Sequence, residues 1–503
     1  MSLKKQIIKG TLVLTIASLL SRALGFLYRI FLSNLIGAKG MGIFQLIFPV
    51  LGFCVALCCG GIQIAVSRFV AESKNASGKY MILLSSIIMS LGLSITTTLF
   101  LYYYAFPICL HIIKNEECTD LIKYAAFTIP LTTFHSCVSG YYLGLKKTFV
   151  PAASSVFEQI VKVVSVYIMG LVWIQQGIKL SPMIAIYTMI ISEAGGFIFC
   201  TLALTAEKKY KFKIAELFSS IKKLFSVSYI LTINKIMITF LGCFEAILVP
   251  IVLKKSGLST NDALSIYGVL TGMAIPVITF PSSINTSVST MILPTIADAN
   301  TSNQKDRVKK TTEISIWFSL VMGIFFIGIF SFYGNFIGGT IFGHPEAGEY
   351  IRTLAWLCPF MYLSITMGSI LHGLGKTNIA FLHNVIGTSI RLFCLWFVVP
   401  KVGIMGYLWG LLGSELIVSL LHGYQIHKEI HFEFDVKMCI IKPSIWLTLS
   451  LVIGKLLQTI LGYTSFTGKV WGFFISGVTA ISILSVFLYF LARQIKDMRK
   501  PAI

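Results

Sequence analysis

TLVLTIASLLSRALGFLYRIFLSN, residues 11–34, holds only two charges, Arg22 and Arg29, among otherwise apolar and small side chains. At 1.5 Å of rise per residue, a helix of this length crosses the roughly 30 Å hydrocarbon core of a bilayer. Runs of the same kind recur at 43–66, 81–105, 124–144, 152–174, 183–205, 227–252, 266–293, 313–335, 351–373, 379–399, 404–426, 441–462 and 469–492. Apolar residues make up 56% of the chain and charged residues 12%, against about 25% charged in a soluble domain. The pattern predicts an all-α membrane protein of about fourteen transmembrane helices. Lys4, Lys5 and Lys9 precede the first run as in a signal peptide. Its length, its arginines and the spans behind it read instead as an uncleaved first helix.

In a soluble protein the net charge of +21 would point to nucleic acid. Here the cations gather in the short gaps between apolar runs: Arg68/Lys74/Lys79, Lys146/Lys147, and the stretches 208–223, 305–310 and 493–500. Positive gaps of this kind stay cytoplasmic. The acidic gaps, Glu116/Glu117/Asp120 and Glu346/Glu349, then fall outside, with Lys254 and Lys255 as the exception. We expect a monomeric multi-pass protein of the cytoplasmic membrane, both termini cytoplasmic and no nucleic-acid partner. Residues 207–224 are basic and amphipathic, the pattern of an interfacial helix on anionic lipid. Eleven cysteines lie mostly inside apolar runs with no C-x-x-C pair, so they read as small hydrophobes, with no metal, cofactor or disulfide framework.

A shift of 229 residues overlays Pro130 on Pro359, Gly144 on Gly373, Lys147-Thr148 on Lys376-Thr377 and Lys162 on Arg391. This internal repeat predicts two pseudo-symmetric six-helix bundles related by an axis along the membrane normal, plus two C-terminal helices. The expected division is an N-terminal bundle at 1–206, a cytoplasmic linker at 207–225, a second bundle at 226–427, and two helices with a basic tail at 428–503.

A charge at the bilayer centre costs at least about 3 kcal/mol unless it meets water or a partner. The spans nevertheless hold Arg22, Arg29, Lys162, Lys235, Arg391 and Lys455 against Glu158, Glu193, Glu245 and Glu415. The surplus is positive, which predicts a cavity that attracts an anion. Arg22 and Arg29 lie two turns apart on one helix face, with Gly25 between them leaving room. Arginine's planar fork suits phosphate. Glu158 and Lys162 form an i,i+4 pair, and either neutralise each other or leave Lys162 for substrate while Glu158 holds it or exchanges a proton. Arg391 has no acidic residue within a turn and needs a partner from elsewhere, Glu245 or a substrate phosphate. Asn234 beside Lys235, and Asn285 in the polar run from Ser282 to Thr290, complete the candidates. That run, with Pro276 and Pro281, reads as a cavity-lining helix. Glu193 and Glu415 read as structural. Gly375-Lys376-Thr377 is no phosphate loop, because the glycine that motif needs is Ile370. The histidines within spans, His135, His372, His383 and His422, read as core residues, and no catalytic set is visible.

SRALGFLYRIFLSNLIGAKGMGIFQLIFP (21–49), GIQIAVSRFVAE (61–72), GYYLGLKKTFVPAASSVFEQIVKV (140–163), LSIYGVLTGMAIPVITFPSSINTSVSTMILPTIADA (264–299) and ILHGLGKT (370–377) together resemble one family. It is the stage V sporulation protein B and polysaccharide-biosynthesis flippase family of the multidrug/oligosaccharidyl-lipid/polysaccharide exporter superfamily, related to lipid II flippases. The resemblance implies a V-shaped, two-bundle transporter that moves an undecaprenyl-pyrophosphate-linked sugar outward by alternating access, in sporulating relatives for the spore cortex. It also implies that the helix-one pattern S-R-x-L-G-F-x-R contacts pyrophosphate. Ser21, Arg22, Leu24, Gly25 and Phe26 match that pattern, while Arg29 comes one residue late and Tyr28 takes its place. A cation-coupled multidrug exporter is the main alternative, although its cavity should carry net acid. A membrane glycosyl- or acyltransferase would need a catalytic acid–base set. The expected protein is therefore a transporter of lipid-linked oligosaccharide and no enzyme.

Overall fold

The computed structural model describes residues 3–178, 180–207, 214–462 and 469–498. All regular structure in those residues is helical. The first helices are α1 (Leu3–Cys59), α2 (Ile62–Glu72), α3 (Ala76–Pro107), α4 (Thr119–Ala125), α5 (Thr128–Gly144), α6 (Phe149–Gln175) and α7 (Met183–Thr205). They are followed by α8 (Ile214–Lys255), α9 (Thr260–Gly268), α10 (Ile275–Thr279), α11 (Ser282–Thr301), α12 (Lys305–Phe336) and α13 (Pro345–Leu354). The last are α14 (Leu357–Gly373), α15 (Thr377–Phe397), α16 (Val399–Val402), α17 (Ile404–Ile430), α18 (Lys442–Gly462) and α19 (Lys469–Met498). The helices form two compact units, Met1–Pro276 with Leu395–Ile404, and Val277–Cys394 with Met405–Ile503.

Among the described residues, ten helices are long and apolar enough to span a membrane. An eleventh is the pair α13–α14, bent by 53°. Three local features separate this from the expected fourteen. The first two runs are joined into one element, because the gap between them is a kink at Gly37, whose φ of 67° lies in the left-handed region that favours glycine. The run at 124–144 yields α5, only 17 residues long, after a break behind α4. In the last run the described apolar helix is Val478–Leu491. The basic amphipathic stretch falls partly on 208–213, outside the described residues. From Ile214 onward it continues into α8 as one helix.

The repeat is written in the backbone more fully than in the sequence. α3 and α12 are both 32 residues long and begin 229 apart, and α5 and α14 are both 17 residues long at the same offset. Each long helix ends in a π turn, at Ile108–Ile113 and Ile337–Ile341. Pro130 and Pro359 sit in the first turns of α5 and α14, where an amide hydrogen would lack a partner anyway. They start helices after a break, and the bend lies at the break. The turn behind each helix repeats too. Lys147 N donates to the Tyr142 carbonyl at 2.9 Å, and Lys376 N to the Leu371 carbonyl at 2.8 Å. Lys146 and Gly375 carry the positive φ that this helix ending requires. Gly375-Lys376-Thr377 is thus a helix terminus.

Each unit has its own apolar core. In the first, Val66, Val70, Val138 and Tyr142 pack between α2, α5 and α7. In the second, Ile296, Val321, Ile370 and Leu371 join α11, α12 and α14. Burial of such side chains contributes about 1.5–3 kcal/mol each relative to water. Small residues set the spacing. A β-carbon on Gly144 would come within 2.7 Å of the Ser67 carbonyl and Val70, and one on Gly373 within 2.9 Å of the Leu293 carbonyl and Ile296.

Candidate functional site

In the first unit α1 and α6 run side by side in one register. Ser21 meets Ser155 with hydroxyls 3.2 Å apart, Gly25 faces Gln159, and Lys162 Nζ lies 4.9 Å from the centroid of the Tyr28 ring. Gly170 continues the seam against Leu35. The α1 partners are spaced four, three and seven residues apart, the spacing that keeps one stripe of a helix against its neighbour. The seam is polar toward its N-terminal end. A cavity of 390 Å³ opens there, lined by Ser18, Ser21, Arg22, Ala152, Ser155 and Gln159 among others. That volume suits a small headgroup. Arg22 is exposed in this cavity.

Two turns further along α1, Arg29 Nη1 donates to the Thr271 carbonyl at 3.4 Å, in the π turn Val269–Ala274 behind α9. Lys162 lies within electrostatic reach of Glu158, Glu193 and Arg29. His135 on α5 donates to or accepts from Ser154 at 2.9 Å, and its Nδ1 stands 3.7 Å from Glu158 Oε2. Gln159 Nε2 donates to Glu158 Oε1 at 3.3 Å, and Glu193 lies within electrostatic reach of Glu158. Tyr28 hydrogen-bonds Thr188 on α7 at 3.1 Å. The structure therefore brings Arg22, Arg29, Lys162 and Glu158 onto one polar seam. It adds His135, Glu193 and Tyr28, which sequence reasoning passed over.

The other candidates fall elsewhere. Glu245 is buried on α8, within electrostatic reach of Tyr267 on α9. Asn234 lies on α8, its side chain outside the described ones. In the second unit Asn285 is fully buried. Its Nδ2 donates to the Tyr362 carbonyl and to Thr366 Oγ1, and its Oδ1 accepts from Ser319. This network ties α11, α12 and α14 together. Arg391 Nη2 donates to Thr388 Oγ1 at 3.2 Å, and Nη1 lies 3.9 Å from Glu415 Oε1 on α17. Glu193 and Glu415 are separated by 222 residues, as are Glu207 and Glu429, which pair with Lys147 and Lys376 at 2.5 and 3.0 Å. Each repeat thus sets one α6-type cation near an α7-type carboxylate inside, and one turn lysine on a helix-end carboxylate outside. A larger cavity, 870 Å³ beside Arg352, Trp356 and Trp409, contains none of the sequence-predicted residues.

Among the described residues no group of three or more histidine, cysteine, aspartate or glutamate side chains could hold a metal ion. The polar seam offers binding groups for an anion, and the apolar helices around it are those of a multi-pass membrane protein. Known structures agree on the fold. Lipid II flippase MurJ in an inward closed conformation superposes with a TM-score of 0.69 at 16% identity, covering 97% of this chain and 100% of that one. An inward-facing multidrug resistance MATE family transporter of the MOP superfamily gives 0.65 at 12%, covering 82% and 94%. The chain belongs to the polysaccharide biosynthesis protein family, which it matches over residues 7–300. Residues 236–397 also match the MatE family. Stage V sporulation protein B of Bacillus subtilis (strain 168) is 25% identical over 450 residues, 86% of each chain. Lipid II flippase MurJ of the same organism is 25% identical over 515 residues, covering 92% of this chain and 90% of that one.

Proposed function

We propose that this protein is a secondary transporter that flips an undecaprenyl-pyrophosphate-linked sugar, a peptidoglycan or polysaccharide precursor such as that of spore cortex, across the cytoplasmic membrane. The observation that carries this reading is the charge balance of the polar seam in the first unit. Three cations, Arg22, Arg29 and Lys162, stand against two carboxylates, Glu158 and Glu193, with Arg22 exposed in an open cavity. Arg22 and Arg29 donate to the diphosphate with geometry that lysine does not match. Lys162 adds a point charge, released from Glu158 as the anion arrives. Arg391 is the corresponding cation of the second repeat. Glu158, Glu245, Asn234 and Asn285 are supporting groups. In this reading residues 1–206 and 226–427 act as two bundles, 207–225 is a cytoplasmic linker resting on anionic lipid, and 428–503 adds two helices. The protein works as a monomer with both termini cytoplasmic.

The MatE match and the carboxylates Glu158 and Glu193 favour a second reading, export of a cationic drug. The cationic surplus argues against it. Reconstitution in liposomes separates the two. Headgroup accessibility of candidate prenyl-pyrophosphate sugars should equilibrate across the bilayer with wild-type protein and slow at least tenfold with Arg22→Ala, a barrier raised by at least about 1.4 kcal/mol. Insertion and folding should be unchanged. A correctly folded Arg22→Ala protein with wild-type flipping would remove Arg22 from the site. Uptake of a cationic drug without any sugar flipping would favour the exporter.

A further inference from the structure

We propose that His383 and His422 form a proton-binding couple inside the second unit. His383 lies on α15 and His422 on α17, and both are buried, at 8% and 1% exposure. Their Nδ1 atoms are 2.8 Å apart, so one ring donates and the other accepts. A β-carbon on Gly368 of α14 would lie 3.7 Å from His422 Nε2, in ordinary contact, so the pocket fits the ring closely.

The proton count follows from the contact. Two neutral imidazoles carry two protons, one in the bridge and one on Nε2 of the accepting ring. The donating ring keeps a free Nε2 lone pair. A third proton binds there, leaves the bridge intact, and turns it into a shorter, stronger, charge-assisted bond. A fourth would set N–H against N–H at the same position and break the contact. The couple therefore takes up a single proton, passing from neutral to one positive charge.

Among the described groups, His372 on α14 is the other titratable side chain acting on His422, and its Nδ1 lies 3.3 Å from Thr377 Oγ1. On α15 the nearest charge is Arg391, eight residues on. On α17 they are Lys428, six residues on, and Glu415 and Glu429, each seven residues away and each beside a cation, Arg391 or Lys376. A charge acquired at the couple thus appears about two turns, or roughly 11 Å, from the Arg391–Glu415 pair and on the same two helices.

The first repeat shows what the couple replaces. At the same offsets, 229 and 222, it has Ser154 and Cys200, and Ser154 Oγ lies 2.9 Å from His135 Nε2. Neither a hydroxyl nor a thiol at these positions changes charge near neutral pH, whereas histidine is the side chain that titrates there. At these two positions the second unit has two imidazoles where the first has a hydroxyl and a thiol.

The test uses the full chain in nanodiscs with 15N-labelled histidine, followed by NMR from about pH 8.5 to about pH 4.5, the range in which imidazoles change charge. The pair is assigned with His383→Gln and His422→Gln. Both rings should shift together in one step of one proton, retaining scalar coupling across the bridge. The double variant His383→Ser/His422→Cys, which installs the first repeat's pair, should remain folded and lose that one proton of uptake per chain. Independent titration of the two rings, or no proton uptake by either across the range, would overturn the proposal. The wild-type titration decides even where a variant does not fold, and it does not depend on the transported substrate.

Discussion

In the first unit the α6 cation is Lys162, placed over the Tyr28 ring and within reach of two carboxylates, Glu158 and Glu193. In the second the corresponding cation is Arg391, beside Thr388 and Glu415, and Gly387 stands where Glu158 would be. The backbones around them match down to the turn hydrogen bonds, so the chemistry differs on a common frame. A carboxylate more or less on one helix face changes no backbone bond. It does change how much anion-binding capacity the cation keeps. The first unit couples a denser set of charges to an open cavity at Arg22, and the second keeps its cation beside the Glu415 carboxylate while adding a histidine couple.

The largest effect should come from removing each cation. Lys162→Met leaves Glu158 and Glu193 facing each other, and stranding buried charge costs up to about 3–5 kcal/mol. Arg391→Met strands a less crowded carboxylate and should cost less. Thermal unfolding in detergent ranks the two. Adding Glu193→Gln to Lys162→Met should recover much of the loss, and equal losses without rescue would show that the two sites are not built differently. Next come the helix crossings. Gly144→Ala and Gly373→Ala force a β-carbon against backbone and should each destabilise by about 1–3 kcal/mol, the former more. Gly92→Ala in α3, with nothing within 4 Å, should stabilise by up to about 1 kcal/mol. If Gly144 and Gly92 respond alike, the close crossing is absent. The smallest effect belongs to the outer pairs. Double-mutant cycles on Lys147–Glu207 and Lys376–Glu429 should give no more than about 1 kcal/mol each, shrinking as salt rises. A salt-independent coupling in only one of them would distinguish the repeats at a place where they look alike.

Much of this frame was legible in the sequence, because bilayer thickness imposes a long apolar run on every span, and because glycine and proline at helix ends keep the register of a repeat. Pro130 with Pro359 and Gly144 with Gly373 marked it correctly. The prolines begin helices behind a break, inside runs (124–144 and 351–373) that read as continuous spans. The gap at 35–42 looked like a loop, since nothing in LIGAKG tells a turn from a kink, and only the φ of Gly37 decides. At the site, Arg22, Arg29, Glu158 and Lys162 stood out as charges in apolar runs. Glu193 and Glu415 did too, but read as structural, and their place beside the cations went unseen. The 222-residue spacing that they share with Glu207 and Glu429 was the available signal. Tyr28 over Lys162 and His383 against His422 had none, because helix rotation and packing create such meetings between residues far apart in sequence.

The π turns at Ile108–Ile113 and Ile337–Ile341 hold the two halves of the chain in register. Such a turn holds one residue more than the regular helix needs, and deleting that residue would rotate everything beyond it by about 100° and withdraw it by about 1.5 Å. Because the 229-residue register runs unbroken through both turns, neither copy has lost its surplus residue. A single-residue deletion in one half would therefore turn its later helices out of step with those of the other.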